Sequence, residues 1–244
     1  MSEFLNRELS WIEFNRRVLW QGLDTSNPVL ERLKFLSIVS SNFDEFFMVR
    51  VATVRRQMRK GDHIHCPSGM APSIQLEKIE KRVRDIIAKQ YDCFNNVLLT
   101  ELAENGLNYR DTNSYSESQT LFIKDLFNRD IFHALTPVRI EEGKDFPFTN
   151  SLRLHVLFEL DPLKPKDKKT GPFYTMVQIP PSLDRIWWLP AEGRNDCFTL
   201  LEDIIVSNGA KLFPGYVIKE YLIFRVTRDA DLSVDEERDE DYLE

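Results

Sequence analysis

From Ser73 to Glu104 apolar side chains return every three or four positions: Ile74, Ile79, Val83, Ile86, Ile87, Tyr91, Phe94, Val97, Leu98 and Leu102. That period is helical, and Asn105-Gly106 ends it as a left-handed cap. A helix this long, with one apolar stripe, needs other helices to cover it.

The residues ahead of it supply them. Trp11, Phe14, Val18 and Leu19 follow helical spacing behind Ser10-Trp11-Ile12-Glu13, which reads as a capping box, while Arg16 and Arg17 fall off the stripe. Gly22, Asp24 and Ser26 end that helix. Asn27-Pro28 opens the next, with Asn27 as cap and Pro28 at the first helical position, ahead of Leu30, Leu33, Phe35, Leu36 and Val39. Ser40-Ser41-Asn42 reads as a break. A third helix then starts at Asn42, with Asn42-Phe43-Asp44-Glu45 resembling a capping box. Phe43, Phe46, Phe47, Val51 and Val54 form its buried side, and Arg50, Arg55, Arg56, Arg59 and Lys60 its solvated face and C-terminal end. Gly61 to Pro72 is a loop. Residues 1–107 therefore read as a helical domain.

Past Asn105-Gly106 the period changes. Ser116-Glu117-Ser118-Gln119 is a capping box for a helix to about Ala134. Leu152, Leu154, Val156 and Phe158 alternate with Arg153, His155, Leu157 and Glu159, the pattern of a strand. Phe173 to Ile179 reads as a second strand, with Lys164 to Gly171 as the hairpin loop between them. Phe198 to Val206 reads as a short helix and Tyr221 to Thr227 as a third strand. The fold class is α+β, with the helices first and mainly antiparallel strands in residues 108–244.

Charge is uneven along the chain. The net charge is −7, yet residues 1–60 hold ten Lys/Arg against seven Asp/Glu, or +3, leaving −10 for the rest. The N-terminal part is the better place to meet an anion. Cys66, Cys93 and Cys197 are far apart and odd in number, which fits a reducing cytoplasm and neither a disulfide framework nor a zinc site. No apolar run approaches the roughly 18 residues of a membrane span. The first residues do not make a signal peptide, and no P-loop, GxSxG or Rossmann fingerprint occurs. From Asp229 to Glu244 nine acids accompany one base, Arg238, so this end reads as a chain cut within a helix or as an acidic tail.

Three stretches carry a resemblance: Asn6 to Leu19, Asn27 to Leu36, and Ser41 to Val51 with its Ser-Asn-x-Asp-Glu-Phe core. In the second half Ala134 to Val138, Phe146 to Leu152 and Phe224 to Asp231 agree with them. Together they resemble the N-terminal portion of bacterial polyphosphate kinase of the long-chain, phosphohistidine type. The resemblance implies a helical N-terminal domain over 1–107 and part of a head domain over 108–244, followed in the family by two larger catalytic domains. It implies reversible transfer of the terminal phosphate of ATP to polyphosphate. The partners implied are ATP, ADP and polyphosphate, with Mg2+ for the complete enzyme and a homo-oligomeric assembly. It implies no nucleic-acid partner and no transmembrane segment, and a cytoplasmic location with peripheral membrane association as an option. None of His63, His65, His133 or His155 sits in a matching motif, so no catalytic residue carries over and the fragment alone is expected to be inactive.

What does carry over is Asn42, implied to contact the adenine of ATP. A carboxamide offers donor and acceptor side by side, as an adenine edge does. Against this stands the plain role of Asn42 as a helix cap. Asp44 and Glu45 read as helix-start electrostatics rather than a catalytic pair. Arg55, Arg56, Arg59 and Lys60 read as a solvated helix end that can also steer polyphosphate. His63, His65 and Cys66 lack further partners at metal spacing, and Trp187-Trp188 reads as a core or interface pair. Two alternative functions stand beside this one: an assembly module without a ligand, and a nucleic-acid-binding helical domain using the Arg55–Lys60 run, against which the acidic remainder of the chain argues.

Overall fold

The computed structural model describes residues 4–60, 66–163 and 172–230. Within these the chain divides into two compact units, one reaching Leu98 and taking back Thr227 to Ala230, the other Leu99 to Val226. The Lys164 to Gly171 loop, His63, His65 and the acids after Ala230 lie outside the described residues.

The first unit is helical. Helix α1 runs Arg7–Leu23, α2 Val29–Glu45, α3 Ala52–Arg59 and α4 Pro72–Cys93. The break expected at Ser40–Asn42 is absent: α2 passes through these residues, and a π-helical segment, Phe46–Val51, joins it to α3 with helical backbone at each junction. Ser and Asn compete with a helix only when their side chains bond to nearby backbone. Here tertiary partners hold two of them, because the Asn42 side chain bonds to α1 and Ser40 Oγ accepts from Gln90 of α4. Asn42 is thus a helix-interior residue and no cap, and Asp44 and Glu45 close α2 rather than open a helix.

Two other caps also moved. Asn6, not Ser10, caps α1, accepting the Leu9 N–H at 2.9 Å, and α1 begins a turn earlier than the Ser10 box implied. Pro28, not Asn27, is the cap position of α2, and Asn27 donates instead to the Gln21 carbonyl. The core joins Ile12 and Leu19 to Val39, Phe46, Val83 and Ile86. Ile74, Ile87 and Tyr91 of the expected stripe are exposed.

Buried polar groups stitch these helices together. Asn6 donates to Gln75, Gln90 to the Leu36 carbonyl and Arg32 to the Gly22 carbonyl. Each is satisfied by another helix or its end, so each favours one register over others.

The second unit begins with α5, Leu99–Glu104, and ends that helix at Gly106, whose φ of 85° is the left-handed cap expected. Helix α6, Glu117–Leu126, carries the Ser116/Gln119 capping box, and α7 spans Leu201–Ser207. A four-stranded antiparallel sheet has the order β2 (Pro137–Ile140), β4 (Phe173–Gln178), β3 (Leu154–Pro162), β7 (Tyr216–Arg225). A second sheet has the order β1 (Leu107–Tyr109), β6 (Asn195–Leu200), β5 (Ile186–Glu192), with β1 and β6 parallel. Val156, Phe158 and Val177 pack with Phe127, Ile131 and Ile204 in its core.

Three expectations here need correction. Phe198–Val206 is not one helix: Asn195–Leu200 is a strand and the helix starts at Leu201, because Thr199 and Cys197 alternate into the core before the period changes. Leu152 is not in a strand; its φ of 62° turns the chain, and β3 starts at Leu154. The third strand begins at Tyr216, not Tyr221, and ends at Arg225. Trp187 packs on the core, whereas Trp188 is 60% exposed and stands edge-on to Phe198.

Candidate functional site

Asn42 lies on the side of α2 that meets α1, half-buried. Its Nδ2 donates to Asn15 Oδ1 at 2.9 Å, and Asn15 Nδ2 donates to the Val39 carbonyl at 3.1 Å. Asn15 is fully buried. Among the described residues Asn42 Oδ1 has no hydrogen-bond partner, and Nδ2 has spent one of its two hydrogens. The residue therefore presents one acceptor and one donor beyond its structural bond.

The neighbouring aromatics are core. Phe43 and Phe46 are 5% and 1% exposed, and Trp11 stacks on Phe46 with centroids 4.5 Å apart. Neither Phe is free to flank a base. Asn15 escaped the sequence reading although it sits four residues after Trp11, on the apolar stripe. A polar residue on a buried face is the signal that points to such a bond.

The basic run borders α4. Arg55, Arg59 and Arg84 line a groove of about 600 Å3 with Phe47, Met58 and Ile87. Arg84 pairs with Glu80 at 2.8 Å, and Arg56 lies 3.7 Å from Asp229. Among the described residues Arg55 and Arg59 make no ion pair. The groove is cationic and open, and Asn42 is not among its lining residues.

Cys66 accepts from Asn6 Nδ2 at 3.3 Å. Burial pushes its thiol up, but hydrogen bonds from Ser68 and Asn6 outweigh that and hold it below the ordinary value. Among the described residues no three His, Cys, Asp or Glu side chains converge as metal ligands. His155 is 1% exposed, stacked on Phe224, with Nδ1 at 3.0 Å from the Arg153 carbonyl, so it is sealed from any substrate. His133 is exposed beside Phe132.

A helical unit followed by an α+β unit rich in antiparallel strands is the architecture of a two-part α+β protein. The family description "Polyphosphate kinase N-terminal domain" matches residues 4–110, and "Polyphosphate kinase middle domain" matches residues 118–244. The polyphosphate kinase of Bacillus cereus is 41% identical over 98% of this chain and 34% of its own length. That of Neisseria meningitidis serogroup B is 40% identical over 97% of this chain and 34% of its own. The crystal structure of polyphosphate kinase from Porphyromonas gingivalis matches with a TM-score of 0.83 at 31% identity, covering 95% of this chain and 34% of that one. The chain belongs to the polyphosphate kinase family. It spans about a third of the length of these relatives. Among the described residues no helix is long and apolar enough to cross a membrane.

Proposed function

We propose that this chain is the N-terminal region of a kinase that reversibly transfers the terminal phosphate of ATP to inorganic polyphosphate through a phosphohistidine, and that Asn42 receives the adenine. The observation that carries this is the part of the Asn42 amide that its structural bond leaves over, the Oδ1 acceptor and one Nδ2 hydrogen, in a member of this family. The phosphohistidine belongs to the catalytic part of the protein, outside this chain. Arg55 and Arg59, cationic and unpaired by described acids, suit steering of polyphosphate toward the protein. Mg2+ would serve the complete enzyme, and the described residues offer no cluster to hold it. The surfaces of the two units would also supply homo-oligomer contacts in a cytoplasmic enzyme.

Steady-state kinetics of the full-length protein test the adenine reading. Asn42→Ala should raise KM for ATP by roughly three- to tenfold, the worth of one or two hydrogen bonds, with kcat changed much less. An unchanged KM for ATP would remove Asn42 from the nucleotide site and favour an assembly role for this region.

A further inference from the structure

The Val39 carbonyl can only accept a hydrogen bond, so the atom of Asn15 that faces it at 3.1 Å is a nitrogen. That assignment orients the whole Asn15 amide. Its other end, 2.9 Å from Asn42, is then an oxygen and must receive a hydrogen, so Asn42 turns Nδ2 toward it. One backbone carbonyl thus sets the polarity of two successive amides. Asn15 is fully buried, so bulk solvent does not reach its amide to compete for the Asn42 Nδ2 hydrogen.

We infer that Asn15 is a positioning residue that locks the Asn42 amide in one orientation and thereby sets a preference for adenine over guanine. This rests on the reading that Asn42 meets the base. A locked carboxamide offers acceptor and donor in one fixed order. Adenine answers with its amino donor beside a ring acceptor. Guanine carries the opposite order on its Watson–Crick edge, a carbonyl acceptor beside a ring N–H, and suits the flipped amide. An Asn42 free to flip would accept either base. One held by Asn15 and the Val39 carbonyl leaves the bound guanine with a mismatched acceptor pair and donor pair, and such unmet polar groups exclude a ligand.

The test compares ATP and GTP as phosphate donors for the full-length protein carrying Asn15→Ser, Asn15→Leu or Asn42→Ala. Both Asn15 variants should lower the ATP-to-GTP ratio of kcat/KM by roughly three- to tenfold, acting through KM, since one orienting hydrogen bond is lost. A general loosening of the fold would lower both nucleotides together and leave the ratio unmoved, which would overturn the inference. If Asn42→Ala leaves ATP use untouched, the underlying adenine reading fails. If Asn42→Ala weakens ATP while the Asn15 variants keep the wild-type ratio, only the positioning role fails. Where the Asn15 variants do not fold, the wild-type protein answers by NMR. One Asn42 side-chain amide proton should exchange slowly and the other fast, and equal exchange of the two would sink the lock.

Discussion

Asp203 is 8% exposed and accepts a hydrogen bond from the Tyr109 hydroxyl at 2.7 Å. Burial pushes its carboxyl up to about 6 from 3.8, with the charges of Glu202 and Asp111 adding to it and the Tyr109 bond opposing. Arg185 sits on the Glu202 side of this cluster, and Tyr115 bonds to Thr199. Burial and the same carboxylate raise the Tyr109 hydroxyl, which stays protonated and remains the donor. Because the folded pKa of Asp203 lies above its unfolded value, its contribution is fully favourable below about pH 4 and is lost as pH rises through about 6. Asp203→Asn removes the charge and keeps an acceptor for Tyr109. It should stabilise the protein by about 1–2 kcal/mol at pH 8, with the gain disappearing near pH 4. Thermal unfolding at the two pH values checks this, and an equal gain at both would show that the carboxylate is not what costs stability.

At the scale of elements, the displaced cap of α1 separates two readings by experiment. Asn6→Ala loses the bond to the Leu9 N–H and leaves Gln75 Oε1 without its donor, so it should cost about 1–2 kcal/mol. Ser10→Ala, at an exposed position inside the helix, should change stability by less than about 0.5 kcal/mol. Urea denaturation of the two variants measures both, and the reverse order would restore Ser10 as the cap. Gly106 is a third case: its φ of 85° makes Gly106→Ala cost roughly 1 kcal/mol. That cap was legible because Asn-Gly after a long apolar stripe has one common use. The continuity of α2 was not, because Ser40 and Asn42 read as breakers until their side chains are seen bonded across to α4 and α1. The short strands β1, β2, β5 and β6 also went unread. Three to seven residues give too few alternations to distinguish a strand from a loop, and pairing across the sheet decides it.

At the scale of the whole molecule, the chain spans about a third of the length of its relatives, with matches to the family's N-terminal and middle domains, and the proposed phosphohistidine chemistry is assigned to none of its residues. The 244-residue chain alone should therefore form no polyphosphate from ATP under conditions where the full-length protein does. Release of ADP with polyphosphate as acceptor measures this, and turnover by the chain alone would require a nucleophile within it. By itself the sequence determined the α+β class, the order of a helical half before a strand-bearing half, the helical course of the chain from about Ser73 to Glu104, the Ser116 and Gly106 caps, and the family. These follow from period, turn chemistry and long motifs, all of which are local. Only the tertiary structure decided that Ser40–Asn42 stays helical, that Phe43 and Phe46 belong to the core, and that Asn15 holds Asn42. Those outcomes depend on which groups meet across helices. A buried amide bonded to a neighbouring helix outweighs the local preference of Ser and Asn for caps.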